Sequence, residues 1–128
     1  LETERYELGV HETLTVPTVD EILRIKAFLV VDRGAVRDFL DVAALAERVG
    51  IDHAVQVLSR LDDYYAVRSN EDNLVSTSVA IALGNPEPTD PAVLSELSSY
   101  KGLDPRWHDW DAVVTVCQAV ALRMGLDT

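Results

Sequence analysis

Hydrophobic and polar positions alternate along the first segment of the chain. Tyr6, Leu8, Val10, Leu14 and Val16 share one face, while Glu7, Gly9, His11, Thr13 and Thr15 share the other. A period of two marks an extended strand or a hairpin arm. Such a strand leaves its backbone donors and acceptors open, so it needs a partner within Leu1–Val16 or in a sheet outside the chain. After Pro17 the period becomes helical. Thr18-Val19-Asp20-Glu21 has the form of a capping box, which starts a helix near Val19. Its stripe is Ile22, Ile25 and Leu29, flanked by Leu23, Ala27 and Val30, and Gly34 closes it. A second helix spans about Ala35 to Val49, with Phe39, Val42, Ala43 and Ala46 inside and Gly50 as its stop. A third spans about Asp52 to Tyr65, and a fourth spans about Asp72 to Leu83 before Gly84. Asn85-Pro86-Glu87-Pro88 is the strongest break, because closely spaced prolines cannot continue a helix. Thr89-Asp90-Pro91 and Asp104-Pro105 are restart signals. The last helix carries Trp110, Val113, Cys117, Val120 and Met124 at helical spacing and ends at Gly125. The pattern predicts a mainly α chain, a bundle of about six helices with one N-terminal strand or hairpin arm. Residues 1–17 form the arm and 18–128 the helical domain.

Composition fits this picture. The 128 residues match one domain, typically about 100–150 residues. A hydrophobic share of 48% can build a core. The single Cys117 excludes an intramolecular disulfide, and no cluster has zinc-site spacing. A reducing, cytoplasmic setting fits. No run approaches the roughly 18 uninterrupted apolar residues of a membrane span, and no signal segment is visible. The chain begins at Leu1 rather than Met, as a fragment or processed piece would.

The formal charge of −11 argues against nonspecific nucleic-acid binding by the surface as a whole. That charge is uneven. Residues 19–49 hold six acids and five bases, net −1, so −10 lies in the rest of the chain. Within this balanced island, Lys26 and Arg33 lie two turns apart on one helix side, where their heads can converge. They read either as a phosphate clamp or as cations whose stems cover apolar surface. Arg37 and Asp41 are an (i, i+4) pair, and Asp38 lies in the first turn, where the helix dipole favours a carboxylate. Asp41 falls mid-helix among Phe39, Leu40, Val42 and Ala43, so it is paired with Arg37 or aimed at a site. Two carboxylates beside bases can orient a hydroxyl or hold a hydrated metal ion, but plain salt bridges need the same spacing. The three histidines fall in separate elements, Trp107 and Trp110 read as core or interface anchors, and Cys117 reads as a buried thiol.

The run from Val16 to Ala27, then Asp32-Arg33-Gly34-Ala35-Val36-Arg37-Asp38-Phe39-Leu40-Asp41 to Leu45, resembles the C-terminal half of the AbiEii/AbiGii-type nucleotidyltransferases. These are toxins of toxin–antitoxin and abortive-infection systems. Their pattern is a proline, a helix with a motif lysine, an arginine, then RDxxD. The resemblance implies nucleotide transfer from an NTP to an acceptor such as tRNA. In it Lys26 and Arg33 bind the nucleotide, Asp41 is the catalytic base, and Arg37 and Asp38 support it. It also implies Mg²⁺ and NTP as cofactors, with the metal ligands in a missing N-terminal half. The arm would then be left from that half's sheet, and this chain alone would not catalyse. The implied partners are that half, a cognate antitoxin and a tRNA acceptor, with no membrane. The alternative from a different class is a non-catalytic helical interaction module whose acidic surface meets a basic partner. A third reading takes the Lys/Asp pattern as salt-bridge geometry alone.

Overall fold

The computed structural model describes residues 3–7, 13–65, 74–100 and 102–126. The arm is a hairpin: β1 (Thr3–Glu7) pairs antiparallel with β2 (Thr13–Pro17), in register from Thr3 opposite Pro17 to Glu7 opposite Thr13. The partner that a strand requires therefore lies within the chain. Tyr6 stands opposite Leu14, as the period of two implies, while Leu8, Val10 and His11 lie outside the described residues.

The helices follow as α1 (Val19–Asp32), α2 (Val36–Val49), α3 (Ile51–Ser59), α4 (Leu61–Tyr64), α5 (Val75–Gly84) and α6 (Trp110–Leu126). Two 3-10 helices, η1 (Pro91–Ser99) and η2 (Pro105–His108), fill the stretch between α5 and α6. The fold is mainly α. Thr18 caps α1 as its sequence demands, accepting from Glu21 N–H at 3.1 Å. Helix α6 packs against α2, α3 and α5, while α1 covers α2, α3 and α5 from the other side. Between them lie Leu23, Ala27, Val36, Leu40, Val42, Leu58, Leu61, Val79, Leu83, Val113 and Val120, each at most 1% exposed. Burying each such Leu or Val contributes about 1.5–3 kcal/mol.

Three boundaries differ from the sequence expectation. The helix expected from Asp52 to Tyr65 breaks at Arg60 into α3 and α4. That break buries Leu61 completely and brings the Asp62 carboxylate to Ser76, whose N–H donates at 3.1 Å and whose hydroxyl donates at 2.5 Å. The restart at Pro91 gives 3-10 rather than α geometry. There the Ser95 and Ser99 hydroxyls bond the carbonyls of Ala92 and Glu96, competing with the helical ladder. The restart at Pro105 gives only η2, and α6 begins at Trp110. The expected start of the fourth helix at Asp72 lies outside the described residues.

The connection between α1 and α2 is a three-residue corner. Arg33 and Gly34 N–H both donate to the Leu29 carbonyl, at 2.7 and 2.9 Å. Gly34 takes φ +64°, and a Cβ there would sit 3.2 Å from the Val30 carbonyl oxygen. Thr89 stitches the corner to the distant loop after α5. Its N–H donates to Gly34 O at 2.9 Å and its hydroxyl to Arg33 O at 3.1 Å. Gly34→Ala is expected to destabilise the fold by about 1–2 kcal/mol in urea denaturation, because left-handed backbone strains an L side chain. Gly125→Ala meets open space, so its expected effect is neutral or slightly stabilising. Cys117 is fully buried, its thiol donating to the Phe39 carbonyl at 3.6 Å. Burial pushes this thiol up to about 12. Alkylating reagents at pH 8 should therefore label it only as fast as the chain opens; labelling at the rate of a free thiol would contradict its placement.

Candidate functional site

The five singled-out residues lie on two consecutive helices, with Lys26 on α1, Arg33 at its C-terminal end, and Arg37, Asp38 and Asp41 on α2. Folding α2 back across α1 brings their charged heads together in two groups. In the first, the Arg33 guanidinium grips Asp38 bidentately, Nε donating to Oδ2 at 2.9 Å and Nη2 to Oδ1 at 2.5 Å. Asp38 Oδ2 also accepts from Ala35 N–H at 2.8 Å, reaching back to satisfy the first turn of its own helix. The Asp38 side chain is wholly buried, whereas Arg33 is more than half exposed. Burial pushes the Asp38 carboxyl up, but the Arg33 hydrogen bonds, the Ala35 amide and the charges of Arg33 and Lys26 together outweigh it. They hold the carboxyl below the usual carboxylate range. The hydrogen bonds and charge of Asp38 in turn raise Arg33 above its ordinary value.

In the second group, Asp41 takes two cations. Lys26 Nζ lies 3.2 Å from Oδ2, and Arg37 Nε donates to Oδ1 at 3.1 Å. Asp41 is largely buried while Lys26 and Arg37 reach solvent. The structure thus places Lys26 and Asp41 together, as one cleft would require, but as direct ion partners. All three cations are matched by carboxylates, and an incoming phosphate would have to displace them. Among the described residues, no group of three or more His, Cys, Asp or Glu could hold a metal ion. The arrangement is a charge clamp of ion pairs between α1 and α2 and within α2.

Sequence reasoning missed Asp90. The sequence shows it only as part of the restart signal before Pro91, and its side chain makes no cap bond to the 3-10 helix that follows. Instead Asp90 Oδ1 accepts from Val36 N–H at 2.7 Å, capping α2 from 54 positions away. No local signal reports a partner so distant. A polar hollow of about 260 Å³ was also invisible, lined by Asp20, Arg24, His53, Gln56, Arg60 and Tyr64. There His53 Nε2 sits 2.8 Å from Asp20 Oδ1, tying α3 to α1. Arg24 is buried, donates to Glu21 Oε2 at 3.0 and 2.8 Å, and lies 3.9 Å over the Tyr64 ring. Tyr64 carries the only hydroxyl among the residues lining this hollow.

The charge clamp has a pH signature. Because the folded-state value of Asp38 lies below its unfolded one, its contribution is complete above about pH 4 and is lost as pH falls through the folded value. Asp38→Ala is expected to cost about 1–2 kcal/mol at pH 7, chiefly through the lost cap on Ala35 N–H. The gap between wild type and variant should narrow in chemical denaturation below pH 4. A gap independent of pH would show that ionised Asp38 does not stabilise the fold.

Neither a known family profile nor a solved structure matches the chain. Curated proteins do resemble it along nearly its whole length. It is 31% identical over 124 residues to the mycolic acid-containing lipids exporter MmpL11 of Mycolicibacterium smegmatis. It is 28% identical over 125 residues to the probable transport protein MmpL11 of Mycobacterium leprae, and 30% identical over 124 residues to the heme uptake protein MmpL11 of Mycobacterium tuberculosis. Each match covers 97% of this chain and 12% of the relative. These similarities overturn the AbiEii/AbiGii resemblance, which rested on residues 16–45 and on offsets that any charge-paired helix hairpin supplies. With it go the toxin function, nucleotide transfer, the Mg²⁺ and NTP cofactors, and the nucleotidyltransferase-half, antitoxin and tRNA partners. The cytoplasmic setting and the exclusion of a membrane are corrected too, since exporters and uptake proteins act at a membrane. Among the described residues, no helix is long and apolar enough to cross one. The chain spans about an eighth of the length of the MmpL11 transport proteins that it resembles.

Proposed function

We propose that this chain is a non-catalytic helical module of a transport protein similar to MmpL11, with residues 18–128 as its body and 1–17 as an arm. The observation that carries this reading is the extent of the similarity: 97% of the chain aligns with 12% of a named exporter. A stretch of that size matches a domain rather than a whole transporter. The charge clamp supports a structural role for the island on α1 and α2, because its carboxylates are engaged by its own cations. The module would serve transport by contact with other parts of the machinery.

A chimera tests this. The matching 124 residues of the Mycolicibacterium smegmatis exporter are deleted, or replaced by residues 1–128 of this chain. Export of mycolic acid-containing lipids is then measured at matched expression. Deletion should reduce export at least several-fold and the chimera should restore most of it. A chimera no better than the deletion, though folded and expressed, would remove the module reading.

A further inference from the structure

Beyond its polar first turn helix α5 is almost wholly apolar, and its outward side is not covered. Val75, Val79 and Leu83 face the core, yet Ile81 on the opposite face is 69% exposed. Two hollows run along this face and meet at Ile81, which lines both. One, of about 300 Å³, lies between α5 and the end of α6, against Thr77, Ala80 and Met124. The other, of about 410 Å³, has Val30, Phe39 and Ala82 as apolar lining and extends to Val31, itself 43% exposed. Together the two hollows are lined by α5 residues from Ser76 to Ala82, a span of about 10 Å, or roughly two turns of a docked helix.

Two further observations point to an occupant. Ser59 Oγ, at the α6 end of the groove, is buried with no hydrogen-bond partner among the described residues, where a polar group from a ligand could satisfy it. The other end is acidic. Asp32 and Glu87 line it, and neither forms an ion pair among the described residues. Arg33, the base at that end, is already held by Asp38. An apolar floor with an acidic end fits a helix with an apolar stripe flanked by Lys or Arg. A second copy of this chain fits poorly, because each copy brings a charge of −11 and the same acids. The same acidity disfavours an anionic lipid surface.

We propose that the α5 groove is a docking site for a basic amphipathic helix of a partner protein. This deepens the module reading and rests on it, since it names the surface through which the module acts. The test uses the full 128-residue chain and a synthetic 18-residue peptide with Leu at i, i+3/i+4 and i+7 and Lys on the other positions. The expected result is saturable binding that weakens as salt is raised and perturbs backbone NMR signals of α5 and α6. Ile81→Ser and Val31→Ser should each weaken binding at least tenfold, and both sites are exposed enough to leave folding intact. Asp32→Asn with Glu87→Gln should reduce the salt dependence. Equal binding of a peptide with Glu in place of Lys would overturn the proposal. So would indifference to both apolar substitutions, dimerisation of the wild type through this face in sedimentation, or preferential binding to phosphatidylglycerol vesicles. A chimera that restores export while the peptide fails to bind would remove the groove assignment and leave the module reading standing.

Discussion

The corner between α1 and α2 is the constraint on which the rest of the fold depends. A helix start exposes backbone N–H groups that must find acceptors. Here two of them are met by carboxylates, Ala35 N–H by Asp38 of the same helix and Val36 N–H by Asp90 from the loop after α5. Gly34 supplies the left-handed turn, and Thr89 bonds both carbonyls flanking it. The result is more than a local turn. It anchors the proline-rich loop to the α1–α2 pair, and so sets where α5 ends and where η1 begins. It also explains why a buried carboxylate is tolerated, since Asp38 is held by a bidentate guanidinium and a backbone amide.

That corner clarifies what the charged island is. Lys26, Arg33, Arg37, Asp38 and Asp41 sit at helical offsets that a nucleotide site and a set of inter-helix ion pairs share. The offsets cannot separate the two, because both require charged heads on facing sides of neighbouring helices. Asp41 lies between two cations, and Arg33 is spent on Asp38. The transport proteins named MmpL11 then match the whole chain rather than the two helices alone. The Lys26–Asp41 and Arg33–Asp38 pairs tie α2 to α1, and their exposed members add little individually.

The uncovered side of α5 is a different kind of feature. A helical stretch as apolar as Val79–Leu83 is usually enclosed. In this chain α1 and α6 enclose only part of it, and Ile81 is left in solvent. The acids beside the groove form no ion pair among the described residues, Glu87 accepting only from the Asn85 amide, whereas those of the corner are held by cations and backbone amides. Charge in this molecule is thus used in two ways, closed inward at the α1–α2 corner and left open at the groove.

Much of the architecture was legible along the chain. The capping box at Thr18, the glycines at 34, 50 and 84, and the run from Asn85 to Pro88 placed the main helices to within a few residues, because caps and breakers act through local backbone chemistry. The mainly α class followed from periodicity for the same reason. Tertiary structure alone decided the rest. It sent Asp90 to α2 rather than to its own helix, joined His53 to Asp20, split the third helix so that Asp62 reaches Ser76, and left one side of α5 bare. Each of these depends on groups brought together from distant parts of the chain. Local propensity encodes where an element begins and ends, but not which neighbour its side chains will meet.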